Sequence, residues 1–76
     1  MQYDADRAGD LALALLFLTL HDGTRVWKGV DWDVLAHLHA RGLIEDPRNR
    51  AKSLVLTEAG LERAEAMFRE YLAPAG

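Results

Sequence analysis

The sequence predicts an α+β domain: three helices and a small antiparallel β-hairpin, with a possible short third strand near residues 24–27. Three observations predict it. Residues 11–18 are an unbroken apolar run opened by aspartates, which is helix chemistry. Residues 43–45 and 51–56 have extended character on either side of a polar turn that begins Asp46-Pro47. Thr57 then precedes Leu61, Ala64 and Phe68, a cap followed by helical spacing. The chain has 76 residues and half of them are apolar, so residues 1–76 form one domain with one small core. With no cysteine, neither a disulfide framework nor a thiolate metal site supports that core. Burial against a second copy is the remaining way to extend it, and a homodimer is expected.

The first helix is predicted from Asp4 or Asp6 to Leu20. Its apolar residues cover nearly every side, with Leu11, Leu15 and Leu18 on one and Leu13, Leu16, Phe17 and Leu20 on others. A helix apolar all round is either central to its domain or pressed against a partner. Leu13, Leu16 and Phe17, together with Trp27, are accordingly the candidate interface residues. Gly23 is the expected terminator, because glycine accepts the left-handed conformation that often ends a helix. Asp4, Asp6 and Asp10 stand where a secretory leader would be basic. The apolar run is about half the length of a membrane span. A cytoplasmic protein with no membrane contact is the expectation.

Residues 24–27 lie between glycines and look extended. A second helix should begin at Asp31, with Trp32, Leu35 and Leu38 at helical spacing, and end at Gly42, with Leu43 folding back on its last turn. Leu54 and Leu56 share one face of the second hairpin strand. The last helix should turn Leu61, Ala64, Met67, Phe68, Tyr71 and Leu72 inward, and pair Glu65 with Arg69 on its wet side.

The block Gly42-Leu43-Ile44, a basic turn and Leu54-Val55-Leu56-Thr57-Glu58-Ala59-Gly60 resembles the wing of winged-helix regulators of the MarR and PadR kind. Trp27-Lys28-Gly29, Asp31-Trp32-Asp33, Leu38-His39, Asp46-Pro47 and Ala51-Lys52-Ser53 resemble a small bacterial family of unknown function. The first resemblance implies a minimal winged-helix-like domain with a regulatory, DNA-binding role. The second covers most of the chain and implies a fold without an activity. The chain departs from the regulators between Gly29 and Gly42, where there is room for one helix and not two. That helix occupies the recognition-helix place, yet Asp31 and Asp33 put the wrong charge at the end that would enter a major groove.

Net charge is −3, but it is uneven: −3 over residues 1–23, +2 over residues 24–53 and −2 over residues 54–76. The positive charge gathers at the turn, in Arg48, Arg50 and Lys52, read as having no acidic neighbour within the turn. Arg25 and Lys28 join them if residues 24–27 pair with the hairpin. These five are the candidate nucleic-acid contacts. Equally, a charged hairpin tip can serve only to keep a strand edge soluble. Trp32 is expected in the core. Trp27 can be core, or an exposed contact that stacks on bases or on a partner.

The histidines predict no metal site: His37 and His39 are two apart and point to different sides of a helix. His39 is expected half-buried. No nucleophile motif or phosphate-cradling glycine loop is present, so no enzyme, cofactor or small-molecule substrate is expected. Two functions follow from the residues. One is a non-catalytic binder whose basic hairpin contacts nucleic acid. The other is a protein–protein interaction or dimerisation module that uses apolar helix surface.

Overall fold

In the computed structural model, which describes residues 2–74, the chain runs α1 (Ala5–Phe17), β1 (Arg25–Trp27), α2 (Trp32–Ala40), β2 (Ser53–Val55) and α3 (Glu58–Tyr71). This is an α+β arrangement of three helices and one two-stranded antiparallel sheet.

Asp4 caps α1 by accepting the Arg7 backbone N–H at 3.1 Å. The helix stops three residues short of Leu20, because i→i−3 bonds tighten its end and the Thr19 hydroxyl donates to the Leu16 carbonyl at 2.7 Å. The Thr19 hydroxyl oxygen in turn accepts the Trp27 N–H at 2.7 Å, so Thr19 ends α1 and anchors β1. Gly23 is not the terminator. At φ +81°, next to Asp22 at φ +50°, it makes the tight reversal between His21 and Arg25, whose backbones exchange bonds of 2.8 and 3.0 Å.

The segment predicted as an optional strand is the one that builds the sheet. Arg25 pairs with Val55, Val26 with Leu54 and Trp27 with Ser53. Residues 43–45 add the isolated bridge Ile44–Leu56, a 2.9 Å bond from the Glu45 N–H to the Val55 carbonyl and a 3.1 Å bond from the Thr57 N–H to the Leu43 carbonyl. Beyond them Pro47 has no N–H to offer, and the turn satisfies itself: Asp46 accepts the Arg48 N–H and Asn49 Oδ1 accepts the Ala51 N–H.

Asp31 caps α2. Its C-terminus closes with the Leu43 N–H on the Leu38 carbonyl (3.0 Å) and the Gly42 N–H on the His39 carbonyl (2.9 Å), with Gly42 at φ +74°. Thr57 caps α3 and its hydroxyl also donates to the Gly42 carbonyl at 2.7 Å, tying the end of α2 to the start of α3.

Leu13 and Leu16, Val26, Leu35 and Leu38, Leu43 and Ile44, Leu54 and Leu56, and Ala64 form one core. Gly60 seats α3 on it: a Cβ there would lie 1.7 Å from the Leu43 carbonyl oxygen. The inward stripe of α3 is Gly60, Ala64 and Met67, with Leu61 and Phe68 half-buried. Tyr71 and Leu72 are exposed, against expectation. Phe68 already meets Phe17, the last residue of α1, with ring centroids 5.2 Å apart, so the final turn of α3 has no helix left to cover it.

Candidate nucleic-acid interface

Strand alternation sends Val26 and Leu54 into the core and leaves Arg25, Trp27, Ser53 and Val55 on the outer face of the sheet. Arg25 Nη1 donates to Ser53 Oγ at 2.8 Å across the strands. Trp27 is 60% exposed although its backbone is tied to Thr19. A Cβ on Gly29 would sit 2.5, 2.6 and 2.7 Å from three adjacent carbons of the indole. Near-equal distances to three ring atoms mean a face-on contact. One face of the indole therefore rests on the Gly29 backbone, and the exposure lies with the rest of the ring.

Pairing of β1 with β2 also brings Lys28 to the 46–52 loop. Its Nζ donates to the Asn49 carbonyl (3.2 Å), Asn49 Oδ1 (3.3 Å) and the Ala51 carbonyl (3.1 Å), bracing the loop without losing its charge to an acid. Arg48 is different. Asp46 accepts from its Nε at 3.1 Å and from its Nη2 at 3.0 Å, so the turn does hold an acidic neighbour for that arginine. The bonds from Arg48 hold the Asp46 carboxyl down to about 2, and the carboxylate raises the arginine in turn. Arg50 and Lys52 are exposed and take part in no ion pair among the described residues. The predicted five thus sort into Arg50 and Lys52, available outright; Arg25 and Lys28, held by neutral groups; and Arg48, whose Nε–Nη2 edge is taken by Asp46.

The model of a domain of unknown function, DUF6429, matches residues 4–74. The chain belongs to the DUF6429 family. It is also 55% identical over 69 residues to an uncharacterised protein, y4hR, of Sinorhizobium fredii (strain NBRC 101917 / NGR234), covering 91% of this chain and 93% of that protein. No solved structure matches it.

The remaining predicted residues of this DUF6429 chain fall elsewhere. Leu13 and Leu16, expected at an interface, are 0% and 4% exposed and belong to the domain's own core; Phe17 is half-buried against Phe68. The open side of α1 is Leu11, Leu15 and Leu18, all exposed and at i, i+4, i+7. Trp32, expected in the core, is 49% exposed, because Leu35 and Leu38 take the inward face of α2. His39 is exposed, and His37 is the half-buried one, bonded to Asp6 at 2.7 Å.

Sequence reasoning missed the junction around Asp10. This carboxylate, buried at α1, accepts from Arg63 at 2.7 and 3.1 Å and from both terminal nitrogens of Arg41 at 3.3 Å. The Arg63 hydrogen bonds, helped by the charges of Arg63 and Arg41, outweigh burial and hold Asp10 below the usual carboxylate range. The only signal was an aspartate directly before the apolar run of residues 11–18. Among the described residues no cluster of three or more His, Cys, Asp or Glu is placed to hold a metal, and no helix is long and apolar enough to cross a membrane.

Proposed function

We propose that the chain is a non-catalytic, winged-helix-like module that binds single-stranded nucleic acid through the outer face of its sheet and the 46–52 loop. One observation carries this reading: Trp27, seated on Gly29 and exposed, lies on the strand that brings Arg25 and Lys28 to the loop bearing Arg50 and Lys52. Cationic side chains that track phosphates beside an aromatic on which a base stacks are the working parts of single-strand binders. Asp31 and Asp33 at the start of α2 disfavour major-groove reading of a duplex, which leaves the sheet face and loop as the contact.

Anisotropy of a labelled random single strand, compared with a random duplex between about 50 and 200 mM salt, tests it. The single strand binds more tightly, and affinity falls with salt by roughly 0.7 log units per log unit of salt for each phosphate contact. Trp27→Ala weakens binding by about 1–3 kcal/mol at every salt. Arg50→Gln and Lys52→Gln each flatten the salt dependence by about one contact. Absence of binding at the lowest salt ends this reading.

The stripe of Leu11, Leu15 and Leu18 favours a second reading, self-association through the outer side of α1. Sedimentation then gives a dimer mass that persists in high salt and reverts to monomer in Leu15→Glu. A monomer at high protein concentration rules it out.

A further inference from the structure

The outer side of α2 and the 46–52 loop enclose a groove of about 310 Å³ lined by Trp32, Ala36, His39, Pro47 and Arg48. Trp32, Ala36 and His39 recur at i, i+4, i+7 along one side of α2, beside the stripe of buried Leu35 and Leu38. Pro47 is buried and fixes the loop wall. Neither the Trp27 indole nor Arg50 nor Lys52 lines this groove.

We propose that this groove binds a nucleotide unit, a planar ring carrying a phosphate. Trp32 offers a half-exposed indole as a stacking surface at the groove. Asp46 grips Arg48 by Nε and Nη2, which fixes the guanidinium plane and leaves Nη1 without a partner among the described residues. A guanidinium held by one edge and open at another presents a forked, always-charged donor to phosphate oxygens. The His39 imidazole adds a ring N–H within the same lining. A volume near the low end for ligand sites suits one base with its phosphate. The unit can be a free mononucleotide or one residue of a strand, and the two sources separate experimentally.

The test uses the Trp27→Phe protein, in which Trp32 is the single indole, because the chain has two tryptophans. Its fluorescence is titrated with AMP, with adenosine, and with a short oligoadenylate. AMP should quench Trp32 to saturation, with adenosine weaker by about tenfold for want of the charge-assisted bonds to Arg48. Arg48→Gln, an exposed substitution, should bring AMP down to the level of adenosine. Oligoadenylate binding no better than AMP assigns a free nucleotide; much tighter binding assigns a strand residue. The inference is overturned if neither AMP nor oligoadenylate quenches saturably, or if Arg48→Gln leaves the titration unchanged. Because Trp27 is absent from the assay protein, failure here is distinct from failure of the sheet face. A strand that still binds the original chain after Trp32→Leu and Arg48→Gln, while AMP gives no signal, removes the groove and leaves that interface standing.

Discussion

The domain handles charge in opposite ways at its two ends. Where the three helices meet, Asp10 on α1 holds Arg41 from the end of α2 and Arg63 from α3, and Asp6 holds His37. These partners are 31 and 53 residues apart in sequence, and the Asp10 side chain is only 12% exposed. At the sheet and loop the ion pair is local, Asp46 with Arg48 two residues on, and both are well exposed. Arg50 and Lys52 beside them pair with nothing among the described residues. A carboxylate taken out of water must be fully bonded or it destabilises the fold, and both Asp10 oxygens are taken up by Arg41 and Arg63. An exposed cation needs no partner, and the loop can keep its charge for a ligand. The same residue types therefore hold the fold at one end and remain available at the other.

The largest effect that can break this contrast comes from the geometry that carries Arg63 to Asp10. α3 approaches closely only because residue 60 has no side chain above the Leu43 carbonyl. Gly60→Ala forces that backbone contact apart and should cost about 3 kcal/mol, read as an earlier denaturant midpoint. If the midpoint does not move, α3 has slack and the junction is not built on this contact.

Asp10→Ala comes next. It removes four hydrogen bonds from two arginines and leaves those arginines facing each other, a loss of about 2 kcal/mol. Binding of nucleic acid by the folded protein should not change. The pH dependence gives an independent check. Asp10 is held below its ordinary value, first by the Arg63 hydrogen bonds, so its contribution is complete above the unfolded value near pH ~4 and is lost as pH falls through the folded one. The original chain should lose more stability than Asp10→Asn as pH falls below about 4. Parallel acid profiles would show that the junction contributes nothing through its charge.

Much of this end of the molecule was legible only in part. Helix positions followed from caps and periodicity: Asp4, Asp31 and Thr57 cap as their residue types require, and Gly42 with Leu43 closes α2. Periodicity could not say which sides of α1 face inward, because leucine occupies nearly all of them; only packing against α3 and α2 separates Leu13 and Leu16 from Leu11, Leu15 and Leu18. The strands of the sheet were legible but their pairing was not, because hairpin reasoning favours near neighbours, whereas β2 finds its main partners 26 to 30 residues back, at Arg25, Val26 and Trp27. Of the candidate contacts, the basic residues were visible as a cluster. Asp46 was visible too, but that it would fold back on Arg48 depends on the turn that Pro47 imposes. Trp32 looked like core because it is large, and it is exposed because two leucines on the same helix fill the inward face first.

The smallest effect sharpens the contrast most finely. Asp46→Asn releases Arg48 from its local partner and adds one net positive charge to the loop without touching the helical junction. Since the pair is exposed, stability should move little. The Asn side chain can still accept the Arg48 backbone N–H that shapes the turn. Single-strand affinity at low salt should rise, and its salt dependence should steepen by up to about one phosphate contact, the mirror image of Arg50→Gln. A rise in affinity with no steepening would mean that the loop had merely changed shape. No change in either would remove the 46–52 loop from the interface, leaving the sheet face with Trp27 and Arg25 to act alone.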